Sequence, residues 1–333
     1  MMAQLKRLAT KSKTVLIAYK IYHNWQFKKR FESGNTESQH GSTHTRKSLA
    51  ESLGYINTQF EDYLKYSGLS PEELRGKKIF ELGFGDNIGV ALRFLAVGAE
   101  QVVCLDKFYS QRDQQQEREI YRALRETLSD EEKKRFDEAV DLSEGIKANP
   151  DKLKCLYGSD VENSPDLTGS ALFDLAISRG AIQDIYNPDA AFAAMDRLLK
   201  PGGLMLHKID LSDQGMFRIY GMHPLSFLTI SESVYRLMAI DSGKPNRKKM
   251  DYYRRKMQEL GYDAKILITD IIGRGGKGDL HPHKERIELN VDYSPETLAL
   301  VHQIRPKLAS GFKQMTDEEL LVDGIFIIAR KPE

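Results

Sequence analysis

Short apolar runs alternate with helical segments along the chain from residue 78 onwards. The runs typical of β-strands are KIFELG, QVVCLD, KLKCLYG, FDLAISRG and LMLHKIDL, and most are followed by residues with helical periodicity. Repetition of strand, helix and strand predicts a parallel sheet with right-handed crossovers. Two later runs, at 264–272 and 324–332, are expected to complete the sheet. The pattern therefore predicts an α/β fold with a mostly parallel, seven-stranded sheet and helices on both faces.

The segment before this alternation has a different pattern. Residues 1–31 contain eight Lys or Arg residues and no acidic residue, with apolar residues at helical spacing, and residues 32–45 are polar and rich in Gly, Ser and Thr. The first stretch predicts a basic amphipathic arm, and the second is typical of a linker. We therefore expect an arm and linker at 1–45 and one folded domain at 46–333. Helical insertions in that domain are predicted at about 107–150 and 213–262.

The composition is typical of a soluble globular protein. The 333 residues are 41% hydrophobic and 29% charged, and 49 Lys and Arg against 48 Asp and Glu leave a net charge of +1. This balance provides no global field for nucleic acid, so no specific nucleic-acid partner is expected. Cys104 and Cys155 lack CxxC spacing, and no apolar run approaches the roughly 18 residues of a membrane span. We expect a cytoplasmic protein, with peripheral contact to the inner face of a membrane through residues 1–31 as one role for the arm.

The strongest chemical signal is the segment KIFELGFGDNIG at 78–89, in which a buried strand ends in an acidic residue and a Gly-rich turn. The dinucleotide fingerprint GxGxxG would need glycine at position 88, where the chain has Ile88. The carboxylates of Glu81 and Asp86 would also repel a pyrophosphate. A ligand with an ammonium group, a sulfonium and a ribose suits this turn better, and S-adenosylmethionine is such a ligand. The next strand ends at Asp106, where a carboxylate can accept both ribose hydroxyls.

Together with FDLAISRG and LLKPGGLMLHKID, these motifs resemble those of the class I S-adenosylmethionine-dependent methyltransferases over roughly residues 75–211. The resemblance implies a Rossmann-like fold and S-adenosylmethionine as cofactor. In that family the Gly turn holds the methionine part, the acid after the second strand binds ribose, and residues after the third strand flank adenine. Asn87 stands where the usual turn has a third glycine. The cofactor-binding residues implied for this chain are Glu81, Gly83, Gly85, Asp86, Asn87, Asp106, Lys107, Asp160, Val161 and Ser178.

A narrower resemblance concerns HKIDL, HPLSFLT, PNRKK and LLVDGIFIIARKP, which are similar to segments of bacterial family members encoded with glycan-assembly genes. It implies O-methylation of a sugar or glycan hydroxyl. Because such a hydroxyl is a poor nucleophile, a base should remove its proton. The candidate bases are His207, at the carboxyl end of a predicted strand, and His223, near a helix start. Asp210 and Asp213 are candidate orienting groups, and Arg179 is a candidate for positioning an anionic acceptor.

Each candidate has a plainer alternative. His207 is equally placed to be a hydrogen-bonded core residue, Arg179 to pair with a carboxylate, and the basic run at 244–256 to form a solvated helix face instead of a phosphate site. His281 and His283 resemble a metal pair without a third ligand set by spacing, so no metal site is expected.

Three alternatives to a sugar methyltransferase remain open: RNA methylation, protein methylation, and a non-catalytic S-adenosylmethionine-binding scaffold. The expected partners are a small-molecule or glycan acceptor and, for the arm, a membrane surface or a second copy of the chain.

Overall fold

The computed structural model of the chain describes residues 12–39, 41–274 and 278–333. In chain order the strands are β1 (Glu37–Ser38), β2 (Lys78–Leu82), β3 (Gln101–Asp106), β4 (Tyr109–Ser110), β5 (Val140–Asp141), β6 (Lys147–Ala148), β7 (Leu153–Tyr157), β8 (Phe173–Arg179), β9 (Leu199–Asp210), β10 (Asp263–Ile271) and β11 (Val322–Arg330).

The α-helices are α1 (Lys13–Glu32), α2 (Leu49–Ser67), α3 (Gly89–Ala96), α4 (Gln114–Glu126), α5 (Asp130–Ala139), α6 (Ser164–Thr168), α7 (Pro188–Leu198), α8 (Glu232–Ala239), α9 (Met250–Glu259), α10 (Pro295–Ile304) and α11 (Asp317–Leu321). Short 3-10 helices span His44–Arg46, Pro71–Leu74, Val161–Asn163, Ile182–Asp184, Arg218–Tyr220, Ser226–Thr229, Arg305–Lys307 and Ser310–Phe312. Among the helices of the described ranges, none combines the length and apolar character needed to cross a bilayer.

Seven strands form the central sheet, in the order β10-β11-β9-β8-β2-β3-β7. Strand β11 runs antiparallel to both of its neighbours, β10 and β9, and the remaining pairs are parallel. The prediction of a mostly parallel, seven-stranded, Rossmann-like sheet is confirmed.

The chain reverses its direction of travel across the sheet between β2 and β8. From β2 it proceeds to β3 and β7 on one side, and from β8 it proceeds to β9 and the last two strands on the other. Such a reversal opens a crevice at the carboxyl ends of the two central strands. Gly83 follows β2 and Gly180 follows β8, so both glycines lie at this crevice.

Both faces of the sheet are covered by apolar side chains, because successive residues of a strand point to opposite faces. One hydrophobic cluster takes residues from six strands, among them Phe80, Val103, Ala176, Met205 and Ile327. The other takes the residues next to them, among them Ile79, Val102, Leu175, Leu204 and Phe326.

Most of the predicted basic arm is helix α1, which packs against α8. The side chains of Leu16 and Phe27 are buried, and Asn24 exchanges two hydrogen bonds with Asp241, at 3.1 and 3.0 Å. Residues 1–11 of the predicted arm lie outside the described part of the chain. The predicted linker is folded onto the domain, because its strand β1 pairs in parallel with β4.

Candidate active site

A cavity of about 610 Å³ opens at the carboxyl ends of β2, β3, β7 and β8. Its lining includes Gly83 after β2, Asp106 at the end of β3, Asp160 after β7 and Gly180 after β8. Cavities that hold small molecules and cofactors commonly have volumes of roughly 300–1,000 Å³. The cavity therefore combines the volume of a cofactor site with the position at which open α/β sheets bind ligands.

The Gly-rich turn after β2 depends on its two glycines. Gly83 and Gly85 have φ angles of +75° and +66°, in the left-handed region that other residues rarely adopt. A Cβ on Gly83 would lie 2.3 Å from the Cβ of Ala181, and one on Gly85 would lie 2.6 Å from the carbonyl oxygen of Gly41. Neither position has room for a side chain.

Asp106 connects the turn to the end of β3. Its Oδ2 accepts a hydrogen bond from the backbone N–H of Gly85, and its Oδ1 accepts one from that of Phe108, each at 3.1 Å. Burial raises the pKa of the Asp106 carboxyl, and these hydrogen bonds and Arg112 oppose the rise. Each carboxylate oxygen still has acceptor capacity for a ligand hydroxyl.

Lys107 and Asp160 also line the cavity and form an ion pair, with Nζ 2.7 Å from Oδ1. Val161 is buried at the start of the 3-10 helix Val161–Asn163. The structure thus brings five of the residues predicted for the cofactor around one cavity: Gly83, Asp106, Lys107, Asp160 and Val161.

The Glu81 side chain points to the side of β2 opposite to that of Leu82, and it does not line the cavity. Its carboxylate accepts a hydrogen bond from the Cys104 thiol at 3.5 Å, and burial raises its pKa to about 7. The strand alternation that directs Leu82 to the cavity directs Glu81 into the core. Its position differs from the expected contact with the cofactor.

Asp86 and Asn87 hold the turn and the residues beside it through hydrogen bonds from backbone N–H groups. Asp86 Oδ2 accepts hydrogen bonds from the backbone N–H groups of His44 (2.9 Å) and Thr45 (3.3 Å), which holds the segment 41–46 over the glycines. Asn87 Oδ1 accepts a hydrogen bond from the N–H of Gly89 at 2.8 Å. Like Gly85, neither residue is part of the cavity lining.

His207 is a fully buried residue of β9. Its Nδ1 lies 2.9 Å from the Ser178 hydroxyl oxygen, and its ring packs edge-on against Phe192. Burial lowers the pKa of His207 to about 3, so the ring is uncharged near neutral pH. Neither His207 nor Ser178 lines the cavity, and both occupy the positions of core residues.

His223 and Arg179 are also held by other parts of the fold. His223 Nε2 is 2.9 Å from the carbonyl oxygen of Leu300, and its Nδ1 accepts a hydrogen bond from the N–H of Leu225 at 3.1 Å. Arg179 donates a hydrogen bond of 2.7 Å to Asp62 of α2. The structure does not bring either side chain to the cavity.

The two predicted orienting acids have backbone partners. Asp213 accepts hydrogen bonds from the N–H groups of Gly215, Phe217 and Arg218, at 2.8 to 2.9 Å. Asp210 accepts one from the N–H of Ser212 at 2.8 Å.

An acid that the sequence analysis did not select, Asp184, lines the cavity. It ends the 3-10 helix Ile182–Asp184 that follows β8, and its Oδ1 is buried with no hydrogen-bond partner in the described part of the chain. Burial raises the pKa of the Asp184 carboxyl well above its usual range, Lys244 opposes the rise, and Asp210 adds to it. The sequence signal that could have identified Asp184 is its position shortly after the end of a central strand.

One group of potential metal ligands lies away from the cavity. Donor atoms of Asp279, His281 and His283 lie within 4.8 Å of one another. No metal site was predicted for this segment. The Asp279 carboxylate forms an ion pair with Lys208 and lies 3.3 Å from His283 Nε2, so its charge is already compensated by the chain.

Comparison with known protein families gives one match. Residues 137–207, which include β7, β8 and most of β9, match the Methyltransf_11 family, a methyltransferase domain. No curated protein matches the chain.

Solved structures with a similar fold are distant in sequence. Phosphoethanolamine N-methyltransferase 2 of Haemonchus contortus, in complex with S-adenosylmethionine, is 15% identical with a TM-score of 0.42, covering 89% of this chain and 60% of that one. A putative methyltransferase of Bacillus halodurans is 14% identical with a TM-score of 0.39, covering 83% and 100%. A putative S-adenosylmethionine-dependent methyltransferase of Listeria monocytogenes is 12% identical with a TM-score of 0.42, covering 83% and 100%.

The chain spans only 60% of the length of the nematode enzyme, and every one of these TM-scores is below 0.5, so no functional assignment rests on the three structures. The chain's own sheet order, its Gly-rich turn and the domain match do not depend on them. The sheet order and the Gly-rich turn agree with the Rossmann-like fold expected from the sequence, and residues 137–207 match a methyltransferase domain.

Proposed function

We propose that this chain transfers a methyl group from S-adenosylmethionine to a hydroxyl oxygen of a sugar or glycan. The observation that carries the proposal is the convergence of Gly83, Asp106 and Asp160 on one cavity at the reversal point of the sheet. These three residues come from the carboxyl ends of three different strands. The resemblance in sequence implies a cofactor-binding role for each of them.

The charge of the cavity suits this donor. Six acidic residues line it against three basic ones: Asp106, Asp160, Glu162, Asp184, Asp189 and Asp241 against Lys107, Arg236 and Lys248. S-adenosylmethionine carries an ammonium and a sulfonium, which an acidic lining attracts. Gly83 would lie at the methionine part, Asp106 at the ribose hydroxyls, and Asp160 with Val161 at the adenine.

The donor supplies a methyl group already activated by the positive charge on its sulfur. The remaining tasks of the protein are to align the acceptor and to remove its proton as the new bond forms. The two histidines predicted for proton removal do not line the cavity. Asp184 does, and one of its oxygens is free of hydrogen bonds within the described chain.

We therefore assign the base role to Asp184 in this proposal. A carboxylate whose pKa is raised by burial is, once ionised, a stronger base than an exposed one. Lys244 favours the ionised form that a base requires. Asp210, predicted as an orienting group, acts on the same carboxyl through its charge.

The lining also supports a hydroxylated acceptor over a nucleic acid. The excess of carboxylates would repel a phosphate backbone at the cavity. Carboxylates and the side chains of Tyr186 and Asn187 can hydrogen-bond sugar hydroxyls, and the Tyr186 ring offers an apolar surface.

The test uses the full chain and deuterated-methyl S-adenosylmethionine. We expect calorimetry to detect S-adenosylhomocysteine binding and mass spectrometry to find the labelled methyl group in a saccharide pool. RNA oligonucleotides and a protein extract should remain unlabelled. Label confined to RNA or protein would refute the acceptor class, and absence of S-adenosylhomocysteine binding would refute the donor site. The variant Asp137→Asn, on the exposed side of α5, serves as the control for nonspecific charge effects.

A further inference from the structure

A second cavity, of about 380 Å³, adjoins the first and has a basic lining. His23 and Arg30 reach it from α1, and Lys244 reaches it from the segment after α8. Among the described residues, the lining contains one acidic residue, Glu37, whose backbone carbonyl accepts a hydrogen bond from Arg30 at 3.0 Å. We refer to this site as the basic cavity.

The positive charges around the basic cavity are not neutralised by ion pairs. Within the described ranges, no carboxylate lies at ion-pair distance from Arg30 or Lys244. Burial lowers the pKa of His23, and the neighbouring charges of Lys244, Lys20 and Arg30 lower it further. Burial and Lys244 likewise lower the pKa of Lys20. The fold therefore places the charges of Arg30 and Lys244 at one cavity without an ion-pair partner, and a bound anion would compensate them.

The basic cavity lies beside the proposed reaction site. Phe27, which lines it, packs edge-on against Phe108 of the main cavity, with ring centroids 5.1 Å apart. Lys244 follows directly after Gly243, which lines the main cavity. The charge of Lys244 also acts on Asp184, and that of Asp184 on Lys244.

We propose that the basic cavity binds a phosphate or pyrophosphate group of the methyl acceptor while the acceptor's hydroxyl reaches Asp184. The guanidinium of Arg30 and the ammonium of Lys244 would form charge-assisted hydrogen bonds with the phosphoryl oxygens. The side chains of Gln39 and Gln111, which also line the basic cavity, are further donors.

The opposite charges of the two cavities would separate the two ligands. A cationic donor is favoured in the acidic cavity, and an anionic group is favoured in the basic one, so each ligand is disfavoured in the other's place. The position of the methyl acceptor rests on the proposed function. The binding of an anion by Arg30 and Lys244 does not.

The first experiment titrates inorganic pyrophosphate into the full chain by calorimetry at low salt. We expect binding that weakens about tenfold or more in Arg30→Gln and in Lys244→Gln, because each loses a charge-assisted hydrogen bond. Lys28→Gln is the matched control, since Lys28 lies on the same helix and is exposed beside Glu32. No binding at millimolar pyrophosphate, or equal affinity in all four proteins, would overturn the inference. Circular dichroism checks that Arg30→Gln is folded, and Lys244→Gln provides an independent variant.

A second titration, with S-adenosylhomocysteine, separates this inference from the proposed function. Arg30 does not line the main cavity, so Arg30→Gln should bind S-adenosylhomocysteine as the wild type does. If S-adenosylhomocysteine still binds but pyrophosphate does not, the inference about the basic cavity is overturned and the proposed function is not. If pyrophosphate binds but S-adenosylhomocysteine does not, the inference about the basic cavity is retained and the proposed function is overturned.

Two further arms distinguish the sources of the phosphate. One uses glucose 1-phosphate in solution, and the other uses vesicles containing phosphatidic acid, with phosphatidylcholine vesicles as the blank. The arm in which binding falls further in Lys244→Gln than in Lys28→Gln identifies a soluble or a lipid-linked phosphate. Unchanged binding of both probes in Lys244→Gln would contradict the proposal.

Discussion

The Lys107 ammonium lies 2.7 Å from Oδ1 of Asp160, across the carboxyl ends of β3 and β7. The two side chains are 35% and 44% exposed. An ion pair this exposed contributes little to stability, because solvent screens it. Both residues line the main cavity, where the proposed function gives them a role in ligand binding.

The pair formed by Arg179 and Asp62 gives a direct contrast, because its side chains are only 16% and 13% exposed. We predict that Arg179→Met lowers the free energy of unfolding by about 3 kcal/mol, since it leaves a buried carboxylate unpaired. Lys107→Met should change it by less than about 1 kcal/mol. Urea denaturation of both variants measures the difference. Equal effects would contradict the structural role assigned to Arg179.

The ribose role of Asp106 is tested by Asp106→Asn. The variant loses the charge with which the carboxylate would accept the ligand hydroxyls, so S-adenosylhomocysteine binding should weaken by roughly 1.5–3 kcal/mol. Calorimetry on the variant and on Asp137→Asn measures this change. An affinity equal to that of the wild type would show that Asp106 serves only to hold the turn through Gly85.

Substitutions of Asp184 and of His207 are expected to have different effects on turnover, because only Asp184 is assigned the proton transfer. Asp184→Asn should reduce turnover by about 10²–10⁴-fold while S-adenosylhomocysteine still binds, because general-base catalysis contributes this much. His207→Gln should leave turnover within about tenfold of wild type, since His207 contacts Ser178 in the core.

The pH dependence gives a second measurement of the same role. The base must be ionised, and burial raises the pKa of Asp184, so the wild-type rate should rise with pH through that raised pKa. A rate limited instead by His207, whose pKa is lowered to about 3, would show no such rise near neutral pH. A full loss of activity in His207→Gln, with the protein folded, would return the base role to the histidine.

The sheet was predictable because its signals are local. Each central strand is a short apolar run, and its burial on both faces needs no polar alternation. The glycines at 83 and 85 and the carboxylate of Asp106 could also be predicted from the sequence, since each lies at or just after a strand end. Their convergence follows from parallel order alone, because the carboxyl ends of parallel strands meet at one edge of the sheet.

The direction in which the side chains of a buried strand point could not be predicted from the sequence in the same way. Apolar clusters cover both faces of the sheet, so alternation cannot tell whether His207 or its neighbours face a site. The basic cavity depends on α1 packing beside α8, which lies about 200 residues later in the chain. Contacts of that separation leave no local pattern, so Arg30 and Lys244 could not be paired from the sequence.

Glu81 makes stability depend on pH. Burial raises its folded-state pKa to about 7, above the ordinary value of 4.5, so the folded state binds this proton more tightly than the unfolded state. Stability from this group is therefore complete below about pH 4.5 and is lost as pH rises towards 7. We predict that Glu81→Gln removes up to about 3 kcal/mol of the difference in unfolding free energy between pH 5 and pH 8. Urea denaturation at both pH values, with Glu126→Gln as an exposed control, measures it.

The last prediction concerns the outward face of α1. Its inward face packs on the domain through Leu16 and Phe27. Tyr22 and Trp25 on the helix are 55% and 49% exposed, and the Lys29 ammonium lies 4.0 Å from the centre of the Trp25 ring. Aromatic residues beside lysines suit the interface of an anionic membrane.

We predict that the full chain sediments with vesicles containing anionic lipid at low salt and less so at high salt. Each basic residue near the surface should contribute about 1 kcal/mol, and the aromatic rings should add burial. The variant Tyr22→Ser/Trp25→Ser should reduce sedimentation without changing S-adenosylhomocysteine binding, because neither residue lines the main cavity. Leu237→Ser, at an exposed leucine on α8, tests whether any loss of apolar surface has the same effect. If the wild type does not sediment with anionic vesicles at low salt, the membrane role is refuted and α1 acts as a packing element of the domain.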